Sequence, residues 1–257
     1  MPDDAFNSFF ASHYDDLYDE KDYEGEVNYV IDLFDRYDRT VESVLDIGCG
    51  SGNHAVELVD RGFAVHGIDK SLEMVRVARE KIDRQRGDAP ISIERSSIED
   101  FVTDETFDAA IAQFNVFGYI TETAAFMAAL RSVRNALDND GVFVFDTWYG
   151  PAVLDIKPET RYRKVTVEEG TIHRIATPSL DPERNMVELT YDMLQVDGNI
   201  VLSNERESHP IRYYFQPEIE LLLEQAGFSL HDVHEYKDPE SEIGLDTWSV
   251  TWVALPS

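Results

Sequence analysis

Three glycines at alternate positions, Gly48, Gly50 and Gly52, lie in "VLDIGCGSGN" (44–53), directly after an apolar run and Asp46. Glycine packs nothing and costs backbone entropy, so such a cluster marks a place where another group comes close to the main chain. Seventeen residues beyond Gly52, a second apolar run, "FAVHGID", ends in Asp69. An acid ending the second strand of a strand–helix–strand unit is placed to accept hydrogen bonds from ribose hydroxyls, so the expected ligand is a nucleoside compound. A dinucleotide fits less well. A pyrophosphate loop sets its third glycine three residues after the second, whereas here the step is two. Asp46 would also repel a diphosphate and attract a cation.

The elements that must hold this loop are legible in the hydrophobic pattern. "EGEVNYVIDLFDRY" (24–37) sets Val27, Val30, Ile31 and Phe34 at helical spacing. "SVLDIG" reads as a buried strand, "NHAVELVDRG" as a short helix stopped by Gly62, and "FAVHGID" as a second strand. "SLEMVRVAREKIDRQ" reads as a helix capped by Ser71. "ISIERSS" and "FDAAIAQF" give strands three and four, "TETAAFMAALRSVRNAL" a helix and "GVFVFDTW" strand five. Such alternation predicts a parallel sheet covered on both faces. From about 160 to 215 the pattern changes to strand and turn, with Asp197–Gly198 as the strongest hairpin signal. "FQPEIELLLEQAGF" returns to helix between Pro217 and Gly227, and strands near 229–236 and 247–254 close the chain. The expected fold is α/β: a Rossmann-like, doubly wound, mostly parallel seven-stranded sheet with an antiparallel insert after strand five. Residues 1–150 and 216–257 would form the ligand-binding domain and 151–215 the insert.

Composition narrows the partners. There are 51 acidic against 22 basic residues, a net charge of −29, and of the basic residues sixteen are Arg and six Lys. Phosphate recognition relies on clustered Lys and Arg, so nucleic acid and anionic membranes are not expected partners. The single cysteine, Cys49, permits no internal disulfide, the N-terminus lacks a signal-like pattern, and no apolar run is long enough to span a bilayer; the expectation is a cytoplasmic protein. A dispersed acidic excess suits a halophilic cytoplasm, where salt screens self-repulsion. Melting temperature is therefore expected to rise markedly from low salt to molar potassium chloride, as the Debye length falls to about 3 Å. A flat or falling melting curve over that range would remove the halophilic reading.

A nucleoside carrying a sulfonium and an ammonium, and no phosphate, meets these requirements. The stretch "VLDIGCGSGNHAVELVDRGFAVHGIDKSLEMVRVAREK" resembles the first motifs of class I S-adenosylmethionine-dependent methyltransferases. "FDAAIAQFNVFGYI" is similar to their fourth-strand motif and "LRSVRNALDNDGVFVFDTW" to the helix and strand that follow. The opening "HYDDLYDEKDY", the "FGYI" and the late insert look like the nucleotide-linked amino-sugar N-methyltransferases of the desosamine and mycaminose type. "NVFGYI" is also similar to glycine and sarcosine N-methyltransferases. The resemblance implies S-adenosylmethionine as cofactor, S-adenosylhomocysteine as product, no metal, and a small-molecule methyl acceptor. It implies that Gly48, Cys49 and Gly50 pass under the methionine part, with Asp46 supporting the loop and Gln113 contacting it from strand four. It places Asp69 on the ribose diol, Lys70 and Met74 beside the adenine, Ser97, Ile98 and Glu99 at the adenine edge, and Tyr14 and Tyr23 over the cofactor. Many relatives carry an aspartate where this chain has Ser97.

Methyl transfer is an in-line displacement from a good leaving group, so positioning dominates the chemistry. Tyr119, and after it Asn115, follow strand four and are the expected residues that orient the acceptor. The alternative for Tyr119 is an aromatic packed with its hydroxyl on solvent. His231 and His234 are three apart on an expected strand and face opposite sides, so they are not expected to share a metal, and His13, His54, His66, His173 and His209 show no ligand spacing either. The insert carries Tyr162, Arg163, Arg174, Tyr191, Arg206, Arg212, Tyr213 and Tyr214. It is expected to roof the acceptor site, with arginine meeting a diphosphate or carboxylate, or to form a homodimer surface through its sheet edge. Amine methylation leads, O- or C-methylation and glycine-type acceptors are alternatives, and a non-catalytic S-adenosylmethionine-binding protein is the alternative of another class.

Overall fold

The computed structural model describes residues 6–86 and 88–257. Two short helices, α1 (Ser8–Ser12) and α2 (Tyr14–Leu17), precede α3 (Tyr23–Arg36). Strands and helices then alternate through β1 (Ser43–Ile47), α4 (Asn53–Asp60), β2 (Ala64–Asp69), α5 (Leu72–Arg86), β3 (Ile91–Arg95), β4 (Phe107–Ala112), α6 (Thr123–Ala136) and β5 (Leu137–Trp148). After α7 (Gly150–Ile156) come β6 (Arg161–Val167), β7 (Gly170–Asp181), β8 (Met186–Asp197) and β9 (Ile200–Arg212). The chain closes with α8 (Gln216–Gln225), β10 (Phe228–Glu235) and β11 (Ser249–Pro256).

Local signals account for the element ends. The Asp22 carboxylate caps α3 by accepting from Gly25 N at 2.9 Å. Ser71 caps α5, its hydroxyl accepting from Met74 N at 3.3 Å. Gly62 and Gly227 follow α4 and α8 at φ of +96° and +86°, the left-handed conformation that ends a helix.

The main sheet runs β10-β11-β5-β4-β1-β2-β3. The five strands from β5 to β3 are parallel, and β11 runs antiparallel to both neighbours. Alternation divides β5 between two cores: Phe143 and Phe145 join Phe117, Phe126 and Trp252 on one face, while Val142 and Val144 meet Val30, Val44 and Ile111 on the other. Both faces are thus dry, as a parallel sheet requires, and the carboxyl ends of β1, β2 and β4 all open on the same edge, where the glycine loop lies.

The second sheet, β6-β7-β8-β9, is antiparallel throughout. The expected hairpin at Asp197–Gly198 joins β8 to β9, and Asn185 and Gly198 take turn positions at φ of +54° and +56°. One face carries Val165, Ile172, Tyr191 and Met193, and packs on Phe10 and Leu17 of α1 and α2. The strands begin only at Arg161, because residues 150–156 form α7, a helix the sequence pattern does not reveal. At the foot of the sheet, Tyr149 and Tyr214 form an isolated parallel bridge.

The two histidines of β10 lead separate lives. His231 lies edge-on to Tyr37, and buried His234 meets the Tyr29 hydroxyl at 2.6 Å. Among the described residues no group of three or more His, Cys, Asp or Glu is gathered for a metal, and no helix is long and apolar enough to cross a membrane.

Candidate cofactor and acceptor site

The loop after β1 turns sharply over the end of β2. Gly48 N and Cys49 N both donate to Ile68 O, at 2.8 and 3.0 Å. Gly48 needs to be glycine twice over: its φ is +67°, and a Cβ there would lie 2.6 Å from both γ-methyls of Val116. Gly52, at φ +81°, serves as N-cap of α4. Asp69 ties β2 to this loop, its two carboxylate oxygens accepting from Gly50 N (2.9 Å) and Ser71 N (2.7 Å). Burial raises its pKa, and those two N–H groups oppose the rise.

Two adjoining cavities share Gly48, Asp69, Val116 and Tyr119. The first is lined from the loop side by Gly48, Cys49, Gly50, Met74 and Gln113, and from the N-terminal segment by Tyr14 and Tyr23. Asn115 and Tyr119 line it beyond β4. The second holds Lys70, Ser97, Ile98 and Glu99. Every expected site residue except Asp46 therefore lines one of the two. Asp46 is buried in β1, and burial, with Asp69 nearby, pushes its pKa up to about 7. Ser97 directs its hydroxyl to Asp100 at 2.9 Å. Tyr119 is not on solvent: it is buried deeply enough to hold its phenol well above the ordinary range, and its hydroxyl lies 3.1 Å from His209 Nδ1.

Several contributors carry no signal in the sequence. Asp146, on β5, lines the first cavity; one oxygen accepts from Asn115 N at 2.9 Å and the other is buried without a partner. Burial pushes its pKa up to about 7. Phe114 and Asn115 both have positive φ, +73° and +60°. This costly backbone is held by Asp146 and by Trp148 N, which donates to Asn115 Oδ1 at 3.2 Å. Both polar atoms of Gln113 are also buried and unpartnered. Buried polar atoms left unpaired cost free energy, so Gln113 and Asp146 fit a ligand that brings donors and acceptors of its own, as the amino-acid end of S-adenosylmethionine does. Lys21 pairs with Glu26, which in turn meets His54 at 2.7 Å. The N-terminal segment closes the site from above, where Asp15 accepts from Ser51 Oγ at 2.6 Å and pairs with Lys81 at 2.7 Å.

The expected arginine roof is redistributed. Arg163 pairs with Asp19 and Glu20, Arg206 with Asp192 and Arg212 with Glu218. Arg174 lies over the rings of Tyr18 and Tyr191. Tyr213 and Tyr214 are core residues, Tyr162 is exposed, and of the eight residues Tyr191 lines the first cavity.

A methyltransferase-domain family matches residues 44–141, the span from the glycine loop to the start of β5. The chain is 29% identical over 212 residues to the dTDP-3-amino-3,6-dideoxy-alpha-D-glucopyranose N,N-dimethyltransferase of Streptomyces fradiae, covering 82% of this chain and 79% of that one. The enzyme is an S-adenosylmethionine-dependent methyltransferase. The fold of the methyltransferase is shared with an S-adenosylmethionine-dependent methyltransferase from Clostridium acetobutylicum (TM-score 0.81, 21% identity, 97% of this chain and 98% of that). It is shared also with Streptomyces venezuelae DesVI (TM-score 0.78, 24% identity, 96% and 98%).

The buried acids give the methyltransferase a pH signature. With a folded pKa of about 7 against an ordinary 3.8, Asp146 adds stability that is fully present below pH 4 and is lost as pH rises through 7. His54 and His234, whose pKa values burial lowers, act in the opposite sense, so the informative quantity is a difference. Asp146→Asn is expected to gain melting temperature relative to wild type as pH rises from 5 to 8, in the absence of cofactor. The gain corresponds to about 1.4 kcal/mol for each pH unit between 5 and the folded titration of this carboxyl near 7. A constant difference across that range would show that Asp146 is not the group being neutralised.

Proposed function

We propose that the methyltransferase N-methylates a small amine, the amino group of a nucleotide-linked sugar. The observation that carries this reading is the enclosure of the first cavity. It runs from the glycine loop to Tyr119, under Tyr191 and Ile211 of the second sheet and behind Phe6, Phe10 and Tyr14 of the N-terminal segment. Such a chamber suits a small group presented to a methyl donor. The relative from Streptomyces fradiae, named for an amino-sugar acceptor, supports the reading.

In this assignment Asp69 holds the ribose diol, while Gln113, Tyr14 and the backbone of Gly48 to Gly50 hold the methionine part. Lys70, Ser97, Ile98 and Glu99 surround the adenine in the second cavity. Tyr119 and Asn115 stand on the acceptor side. S-Adenosylmethionine supplies the activated methyl group. The protein aligns nucleophile, carbon and sulfur and excludes water, and positioning of this kind supplies ~7–11 kcal/mol of a barrier.

A methyl-transfer screen with labelled S-adenosylmethionine, over dTDP-3-amino-3,6-dideoxyglucose, glycine, sarcosine and simple phenols, tests this. Transfer to the amino sugar is the expected result. Transfer to glycine or a phenol with none to the sugar would overturn it.

A further inference from the structure

Glu207 and His209 stand two residues apart on β9 and so share one face of the sheet. Both are buried. His209 Nε2 lies 2.9 Å from Glu207 Oε2, and His209 Nδ1 lies 3.1 Å from the Tyr119 hydroxyl. The two oxygens of Glu207 also accept from the backbone, Oε1 from Asn7 N at 2.9 Å and Oε2 from Phe6 N at 3.1 Å. The chain Glu207–His209–Tyr119 thus ends at the acceptor cavity and begins at the segment that closes it.

Donor and acceptor roles along this chain follow from its first member. A carboxylate that takes two backbone N–H groups acts as an acceptor, so His209 Nε2 must carry the hydrogen between them. A neutral imidazole then has a bare Nδ1, which fixes the tautomer. The Tyr119 O–H must donate to that nitrogen, leaving the phenol oxygen with lone pairs and no proton to offer the cavity.

We infer that Glu207, acting through His209, sets Tyr119 as a hydrogen-bond acceptor for the nucleophile, so that the site takes amines that still carry an N–H and stops at the tertiary amine. The inference rests on the amine reading above. A neutral primary or secondary amine donates an N–H to the Tyr119 oxygen, which turns its lone pair toward the methyl carbon. The N–C bond forms and the C–S bond breaks, its electron pair passing to sulfur, to give an ammonium and a thioether. The ammonium proton goes to the Tyr119 oxygen as the phenol proton moves to His209 Nδ1, leaving an imidazolium against Glu207. A tertiary amine has no N–H to give and loses the orientation.

Other groups facing the chain are Tyr191 on β8, with its ring centroid 4.9 Å from that of His209, Arg174 on β7 and Tyr18 just after α2. Phe6 closes it edge-on, 5.0 Å from His209. Burial keeps the Tyr119 phenol well above its ordinary range, so Tyr119 relays a proton and does not rest as phenolate. His209 and Glu207 are positioning residues.

The tautomer of His209 is read directly by proton–nitrogen correlation spectra of the full chain, labelled with ¹⁵N-histidine and saturated with S-adenosylhomocysteine at pH 7.5. A neutral Nε2–H ring is expected in the wild type, shifting toward Nδ1–H in Glu207→Gln, where an amide can donate to Nε2. An Nδ1–H ring or an imidazolium in the wild type would overturn the inference. This measurement needs no acceptor, so it decides the matter even where the amino-sugar screen fails. With dTDP-3-amino-3,6-dideoxyglucose as acceptor, Glu207→Gln and His209→Phe should each lower kcat tenfold to a hundredfold with the Kd for S-adenosylhomocysteine within twofold. Comparable transfer to the primary and the N,N-dimethylated sugar would also overturn it.

Discussion

Asp69→Ala is expected to weaken S-adenosylhomocysteine binding by tenfold to a hundredfold or more, the equivalent of ~1.5–3 kcal/mol for losing a charged acceptor to two hydroxyls. The structure separates two sources of that loss. Asp69 faces both cavities where they meet, and it also holds Gly50 N and Ser71 N. On the proposed assignment, removing it strips a ligand contact and loosens the loop that carries Gly48 to Gly50. Asp69→Asn keeps an oxygen for one of these partners without the charge, and should fall between alanine and wild type. Titration calorimetry with melting temperatures on the cofactor-free proteins distinguishes the parts. An unchanged affinity in Asp69→Ala would sink the ribose assignment.

Tyr119→Phe should lower methyl transfer roughly tenfold to a hundredfold, ~1.4–2.7 kcal/mol at the transition state, and leave cofactor affinity nearly unchanged. The ring is retained, and with it the packing against Phe6 and His209; what disappears is the hydroxyl bonded to His209, which the proposal sets toward the acceptor. A loss near ten-thousandfold would instead point to obligatory general-base proton transfer. Single-turnover rates with the acceptor found in the screen make the measurement. A rate equal to wild type would reduce Tyr119 to a packing residue and pass its role to Asn115.

The half of this site proposed for the cofactor is legible in the sequence because local rules govern it. Glycine spacing, a strand-terminal acid and alternating periodicities each depend on residues near one another in the chain, and they locate Gly48, Asp69 and the order of the strands. The half proposed for the acceptor is obscure because it is assembled across long separations. Tyr119 and His209 are ninety residues apart, and Glu207 meets a backbone two hundred residues away. His209 has no metal spacing to draw attention to it, although the pair Glu207-x-His209 on an alternating strand is the signal that both face the same way. Asp146 looks like one acid among many; the strained turn at Phe114 and Asn115 that it holds is announced by no local pattern. The helix at 150–156 is a single short stretch beginning Gly150–Pro151, too brief to show a period. Conversely, the many arginines of the second sheet suggest an anion site, and most are engaged by the acidic residues that surround them.

The bridge between Tyr149 and Tyr214 has an evolutionary consequence. Gly150 N donates to Tyr214 O at 2.8 Å, and Tyr214 N to Trp148 O at 3.1 Å, so the chain leaves the main sheet and rejoins it at adjacent points. Closing a long excursion whose ends already touch costs only slowly more as it lengthens. A lineage can therefore lengthen, shorten or exchange the intervening strands with little disturbance to the main sheet and its glycine loop, and the second sheet becomes the part of the fold most open to variation.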